Sequence, residues 1–317
     1  MSDLRQLPLF TPQSDDELHK GTTLRDSVSL FQARLLREGK SEHTIKAFTA
    51  DLQLLAEFAG EEHTLGKFTT TTLNDFLHWL EFERGVPCSR KSYARRVTTL
   101  KVFFKWLHDI RAIGHDPALP VLQRSGPAPL AVILTPEQVE AMLVHGRALR
   151  RGRVKDRKPD ARPDFLFQLI LMTGIKKSEA VQLTDADFDS SRPEHPVLMV
   201  RHKNARTLMQ ERQIALEADF MALLEEYRLQ YDQEDAIFNC TARNLEYILE
   251  DLGHGAGIPF KISFEMLRWT CAVRDYRAGV DPEAIREKLG LSRISWQETY
   301  TKVRKLADQQ LRQEEGA

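Results

Sequence analysis

The 317-residue sequence predicts a mainly α-helical fold with a small antiparallel β-sheet, divided into an all-helical first domain and an α+β second domain. Apolar residues recur at helical spacing through most of the chain, which indicates amphipathic helices. Two short runs typical of β-strands, PVLMVRHK and ERQIAL, follow each other in the second half and predict a hairpin. A stretch rich in proline and glycine separates the two halves and predicts a linker.

Composition restricts the class of protein. Charged residues make up 29% and hydrophobic residues 42%, the balance of a soluble globular protein, and no apolar run reaches the roughly 20 residues that span a bilayer. Residues 1–22 contain acids and prolines where a secretory signal needs a basic start and an apolar block. We therefore expect a flexible leader at 1–22, a cytoplasmic protein and no membrane partner. The three cysteines have no ligand-like spacing and predict neither disulfides nor a metal site.

The first domain is predicted to cover residues 23–113. Ser41 has the residue type of an N-cap before the second helix, and Gly60 that of a C-cap after it. In the fourth helix, an apolar stripe lies largely on the side opposite the basic residues, so one face is predicted to be buried and the other exposed. The helical segments are 24–38, 42–59, 71–83 and 89–113.

A linker at 114–134 and a second domain at 135–317 complete the predicted organisation. Thr135, Pro136 and Gln138 form a capping-box start with proline at the first helical position. A basic loop, the apolar helix DFLFQLILMTG and the predicted hairpin follow, and helices return from residue 217 with one strand-like run, AIFN. The glycines around His254 resemble a nucleotide-binding loop, but they follow a helix, so a helix-ending turn is the expected structure.

The distribution of charge says more than its sum, which is −1. Residues 87–111 carry seven basic side chains against one acid, and residues 147–162 carry eight against two. Such stretches fit a positive face that meets phosphates, and they fit ordinary solvated helix faces and loops equally well. The basic residues singled out as candidate DNA contacts are Arg90, Lys91, Arg95, Arg96 and Lys105.

Three motifs in order resemble the tyrosine recombinases, also called the phage integrase family. SEHTIKAFTADLQLLAEF is similar to a stretch of the family's core-binding (SAM-like) domain, which clamps one face of DNA. LMTGIKKSEAVQLTDADFD resembles the Thr-Gly-Leu-Arg-x-Ser-Glu-Leu motif. ISFEMLRWTCAVRDYRAGVDPEAIREKLGLSRISWQETYTKV resembles the closing block from His-x-x-Arg to the nucleophilic tyrosine. The resemblance runs from about 23 to 310 without gaps in the motif spacings, and it implies a catalytic-type α+β second domain.

The resemblance implies a reaction and the residues that perform it. In this family a tyrosine hydroxyl attacks a phosphodiester of double-stranded DNA and forms a 3′-phosphotyrosyl bond, without metal or other cofactor. Fixed cations and hydrogen-bond donors stabilise the charge on phosphorus. Carried over by position, Tyr300 matches the nucleophile, Arg268 the second arginine, and Lys203 the lysine that protonates the leaving oxygen.

Three other catalytic positions are substituted. Lys176 stands at the first arginine, which replaces a bidentate clamp on phosphate by a point charge. Glu265 replaces the histidine of His-x-x-Arg, and, three residues before Arg268, it shares a helix face with that arginine and could pair with it. Leu291 replaces the later histidine and leaves no donor there. A structural role alone stays open for the matching residues: helix packing for Tyr300, an ion pair for Arg268, a polar hairpin for Lys203.

Three hypotheses for the function remain at this point. The first is an active strand-transfer enzyme, supported by Tyr300, Arg268 and Lys203. The second, which we favour, is a DNA-binding relative with weak or lost cleavage that works as an oligomer on DNA or beside a partner recombinase. The third is a protein-interaction module without DNA binding, supported by the neutral net charge. The charged segment after Tyr300 predicts a helix that either docks on a neighbouring subunit or is solvated.

Overall fold

The computed structural model describes residues 14–60, 62–123, 129–202, 211–231 and 235–315. The chain divides into two compact units, Met1–Pro127 and Ala128–Ala317. Within the linker predicted at 114–134, Ala118 and Val121 are buried in the core of the first unit, while Leu130, Ala131 and Ile133 pack against a core cluster of the second.

The first unit is a bundle of helices. Ser41 accepts a hydrogen bond from the Thr44 amide, and Gly60 ends the same helix with a φ of 92°, as the cap residues predicted. Buried aromatic side chains from α1 and α4, including Phe31, Phe103 and Trp106, form the centre of the core. The helices are α1 (Leu24–Arg37), α2 (Glu42–Ala59), α3 (Thr70–Phe82) and α4 (Arg90–Asp109).

The second unit consists of helices packed around α6, with a small sheet. Helix α6 is mainly apolar, and Phe165, Leu166 and Ile170 are fully buried, because α5, α8, α9 and α10 surround it. The predicted capping box at Thr135 and Gln138 is present at the start of α5. The helices are α5 (Pro136–Arg150), α6 (Arg162–Thr173), α7 (Lys177–Ala180), α8 (Ala218–Gln230), α9 (Ala242–Gly255), α10 (Phe264–Arg277), α11 (Pro282–Lys288) and α12 (Arg293–Glu315).

The sheet contains three short antiparallel strands in the order β1 (Phe188–Asp189), β2 (Val197–Val200) and β3 (Arg212–Ala215). The predicted hairpin is confirmed as β2 and β3, which pair with Leu198 opposite Ile214. β1 adds an edge strand that the sequence pattern did not predict, and the run AIFN forms only an isolated bridge, between Thr184 and Ala236. Side chains alternate along β3, so Arg212 lies on the same face as buried Ile214 and points inward.

The glycines near His254 close helix α9, as expected. The helix ends at Gly255, and Gly257, at a φ of 78°, donates its amide to the His254 carbonyl. None of the helices in the described ranges is long and apolar enough to cross a membrane.

Candidate functional site

The matched residues of the second unit come from four places along the chain. Lys176 lies at the start of α7, Arg268 on α10, Leu291 after α11 and Tyr300 on α12. Lys203 lies outside the described residues. Leu289, two residues before Leu291, accepts a hydrogen bond from Arg268, and the charges of Lys176 and Arg268 interact.

Arg268 is held by backbone carbonyls. Its guanidinium donates Nη1 to the carbonyl of Gly174 and Nη2 to that of Leu289, at 3.2 Å for the second. Gly174 ends α6 in the left-handed conformation, with a φ of 58°, and an added Cβ there would lie 2.7 Å from a Leu289 methyl carbon. The end of α6 and the end of α11 therefore fix this arginine together. Burial lowers the pKa of Arg268, and the charge of Glu179 opposes that effect.

Glu265 does not provide the main partner of Arg268. It lies exposed in the first turn of α10, three residues before the arginine. Its charge raises the pKa of Arg268, behind the larger effects of burial, Glu179 and Arg212. The guanidinium instead donates hydrogen bonds to the carbonyls of Gly174 and Leu289. Glu265 therefore affects Arg268 through its charge, and the ion pair that the helix spacing allowed is not the main interaction of this arginine.

Lys176 is engaged by a buried carboxylate. Its Nζ lies 3.5 Å from Oε1 of Glu179, whose side chain is 2% exposed. Burial lowers the pKa of Lys176, while Glu179 raises it. The neighbouring Lys177 pairs with Glu246 at 2.7 Å. Both lysines of the motif thus have carboxylate partners within the unit.

Glu179 itself is the centre of a cluster that the sequence did not identify. Arg212 of β3 donates to both of its oxygens, at 3.0 and 2.9 Å, and the Lys176 amide donates to Oε2 at 2.7 Å. Burial would raise the pKa of Glu179, but the Arg212 hydrogen bonds and charge outweigh it and lower that pKa to about 2. Arg212 also donates Nε to the Lys288 carbonyl at 2.7 Å. This ties β3, α7 and the end of α11 together.

Tyr300 lies half-buried on α12 among aromatic side chains. Its ring is 5.5 Å from that of Trp296 and 6.0 Å from that of Tyr276, between ring centroids. No residue of the described ranges is recorded as hydrogen-bonded to its hydroxyl. The remainder of α12 packs on α10 of the same unit, where Val303, Leu306 and Ala307 are buried.

The candidate DNA contacts of the first unit differ in what holds them. Arg90 and Lys91 are exposed in the first turn of α4. Lys105 is also exposed but donates to both oxygens of Asp109 at 3.0 Å.

Arg95 and Arg96 both contact the buried Asp51. Their distances to Oδ1 are 3.0 and 3.5 Å, and Thr99 donates to the other oxygen at 2.8 Å. Burial raises the pKa of Asp51, and these partners oppose it. The two arginines therefore stabilise the core of the first unit whether or not they also meet DNA.

No group of three potential metal ligands occurs among the residues that the structure describes. The basic loop after α5 is partly neutralised: Arg150 pairs with Asp164 and Glu226, and Arg157 with Asp251.

Comparison with known proteins agrees with this architecture. The family model described as "Phage integrase family" matches residues 133–306, and "Phage integrase, N-terminal SAM-like domain" matches residues 28–109. The chain is a member of the phage integrase family, the tyrosine recombinases.

Among curated relatives, the chain is similar to tyrosine recombinase XerC of Roseiflexus sp. (strain RS-1), at 27% identity over 88% of this chain and 90% of that one. It is 24% identical to tyrosine recombinase XerD of Listeria innocua serovar 6a, over 86% and 92% of the two chains.

Solved structures share the fold. The Tn1549 transposon integrase in complex with a circular intermediate DNA has a TM-score of 0.69 at 17% identity, covering 89% of this chain and 94% of that one. XerH site-specific recombinase, bound to a palindromic difH substrate in a post-cleavage complex, has a TM-score of 0.66 at 19% identity, covering 89% and 83%.

Proposed function

We propose that this chain binds double-stranded DNA and takes part in DNA recombination as a member that cleaves weakly or not at all. One observation carries the proposal. Of the positions that meet the phosphate in the family, 176 has a lysine bound to Glu179, 265 a carboxylate and 291 a leucine. One lost donor commonly reduces a rate by about 10² to 10³. Three such changes, even when not additive, remove most of the stabilisation of the transition state.

The proposed role is architectural or regulatory. A subunit of this kind would occupy one position of an oligomer on DNA, or stand beside an active recombinase, and contribute contacts instead of cleavage. The two-unit organisation and the exposed Arg90 and Lys91 support DNA binding. Relatives named as recombinases, and structural neighbours solved with DNA, support it as well.

A second candidate is an active recombinase that uses Tyr300. Its support is the retention of Arg268, fixed by two carbonyls, together with a half-buried Tyr300 and the matching Lys203 in the sequence. Lys176 would then act as a point charge on the phosphate after leaving Glu179.

Covalent trapping separates the two candidates. Duplexes enriched by binding from a genomic fragment library are nicked near the centre, so that cleavage releases a short strand and traps the protein. The wild type is expected to bind without forming an adduct. Restoring the family's residues in the triple variant K176R/E265H/L291H is expected to raise adduct formation at least about 100-fold, because each restored donor acts on the transition state.

Tyr300→Phe in the triple variant is the matched control and should abolish the adduct. A wild type that forms adduct as fast as the triple variant, in a manner that Tyr300→Phe abolishes, would establish the second candidate instead. Absence of any duplex binding at low salt would contradict both and leave the protein-interaction hypothesis.

A further inference from the structure

The carboxylate of Glu179 is surrounded by three basic side chains, which do not all bind it equally closely. Arg212 occupies both oxygens at 3.0 and 2.9 Å. Two further groups face Oε1 at longer distance: Nζ of Lys176 at 3.5 Å and Nε2 of His202 at 3.6 Å. Both are beyond the length of a good hydrogen bond, so either side chain can approach Oε1 if the other withdraws.

His202 is placed to remain at this position. It lies two residues after the end of β2, and its amide donates to Oε1 of Glu211 at 2.9 Å, across the hairpin. Its side chain is 13% exposed, and its Nε2 is buried with no hydrogen-bond partner within the described ranges. A buried ring nitrogen without a partner is costly, and Glu179 is the acceptor it faces.

A movement of Lys176 towards a DNA phosphate would take its Nζ away from Glu179. Withdrawing a cation from a buried carboxylate is unfavourable. A donor that moves in as Lys176 leaves would offset part of that cost. His202 is such a donor, on the same carboxylate oxygen.

We propose that His202 is a positioning residue, which binds Glu179 when Lys176 turns to a DNA phosphate. The proposal rests on the DNA binding proposed above. It gives a function to a histidine that matches neither histidine of the family pattern, in a chain whose residues at those two positions are Glu265 and Leu291.

The test measures duplex binding by the full chain across a series of salt concentrations, with a fluorescent duplex enriched from a random pool. Each phosphate contact contributes about 0.9 to the slope of log K against log salt. Lys176→Met and His202→Leu are each expected to reduce the slope by about 0.9, because both remove the same contact. The double variant should lose no more than either single variant.

Two further variants test whether a hydrogen-bond donor at the position of Nε2 is what His202 provides. His202→Gln places an amide donor near the position of Nε2 and should keep the wild-type slope, whereas the shorter His202→Asn should behave like His202→Leu. His195→Leu, at an exposed histidine before β2, is the matched control and should change nothing. If His202→Leu does not fold, His202→Asn is used in its place.

A slope unchanged by both His202→Leu and His202→Asn would overturn the proposal while leaving DNA binding intact. An additive loss in the double variant would overturn it as well, and would show that His202 contacts DNA itself. A wild type that binds no duplex would overturn this proposal together with the proposed function.

Discussion

In the proposed function, a lysine at position 176 in place of the family's arginine would change more than the geometry of a phosphate contact. An arginine holds two phosphate oxygens with a planar fork and stays charged throughout the accessible pH range. Lys176 offers one point charge, and burial lowers its pKa, against the opposing effect of Glu179. In the proposed site the position therefore lacks the bidentate fork of an arginine, and Glu179 counteracts the effect of burial on its lysine. This is why Glu179, instead of the substituted residue alone, decides what the site can do.

Glu179 provides a prediction of how stability depends on pH. Its pKa is about 2 in the folded protein against 4.5 in the unfolded chain, so the carboxylate contributes stability above pH 4.5 that is lost as pH falls towards 2. The difference of roughly 2.5 units corresponds to about 3 kcal/mol. Glu179→Gln should lower the free energy of unfolding of the second unit by about that amount at pH 7, and by much less at pH 3. Urea unfolding followed by hydrogen exchange of peptides from 129–317 measures this.

Asp251→Asn is the control for that experiment. Asp251 also pairs with an arginine, Arg157, at 2.7 Å, but both side chains are more than half exposed. Exposed pairs contribute less than about 1 kcal/mol, so this variant should change stability little at either pH. Equal losses for the two variants at pH 7 would contradict the assignment of Glu179 as a buried hub.

The sequence identified the residues of the candidate site but not the side chains that contact them. Motif spacing identifies Tyr300, Arg268 and Lys176 as candidates, because a match without gaps assigns each position together with its residue type. Arg212 and His202 did not follow, since their importance depends on contacts with Glu179 that join segments 33 and 23 residues apart. Inward alternation along β3 was the only local signal for Arg212, and a short strand makes that signal weak.

At the scale of elements, local chemistry predicted most of the fold. The four helices of the first unit begin and end within a few residues of the predicted limits, because caps and apolar spacing are encoded locally. Strand β1, with two residues, is too short for any pattern to show. The packing of α12 on α10 could not be predicted either, since a charged amphipathic helix reveals that it has an apolar stripe but not which surface covers it.

Helix α12 also holds the segment that leads into α5, through one buried side chain. Gln310 donates Nε2 to the Leu134 carbonyl at 2.9 Å and accepts from Arg277 at 3.2 Å, while the Leu134 amide donates to Thr270 at 3.0 Å. Gln310→Ala leaves this carbonyl without its partner, so it should cost about 1 to 2 kcal/mol and increase hydrogen exchange in residues 129–135. Gln309→Ala, at an exposed neighbour, should leave both unchanged within about 0.5 kcal/mol. Equal exchange in the two variants would contradict a role for Gln310 in holding the segment.

At the scale of the whole molecule, the net charge of −1 does not show that both units carry candidate contacts with DNA. Each unit has its own buried core, and each contributes candidate phosphate contacts: Arg90 and Lys91 in the first, Lys176 and Arg268 in the second. Much of the remaining positive charge is compensated by carboxylates within the same unit, as at Asp51, Asp109 and Asp251. Binding to DNA would therefore depend on where the basic candidate contacts lie, not on the total charge.

Because candidate contacts lie in both units, the effects of variants in the two units on the salt dependence of DNA binding can be predicted. The double reversal R90E/K91E should reduce the slope of log K against log salt by about 2, and Lys176→Met by about 0.9. Because the substitutions lie in separate units, the losses should add when combined in one chain. The reversal K20E/K67E, at exposed lysines of the first unit, changes the same charge and should have a smaller effect. Anisotropy titrations of one duplex over a salt series measure the slopes of the wild type and of these variants. If the combined variant loses no more than R90E/K91E alone, Lys176 does not meet a phosphate, and the second unit would have kept the recombinase fold without this contact with DNA.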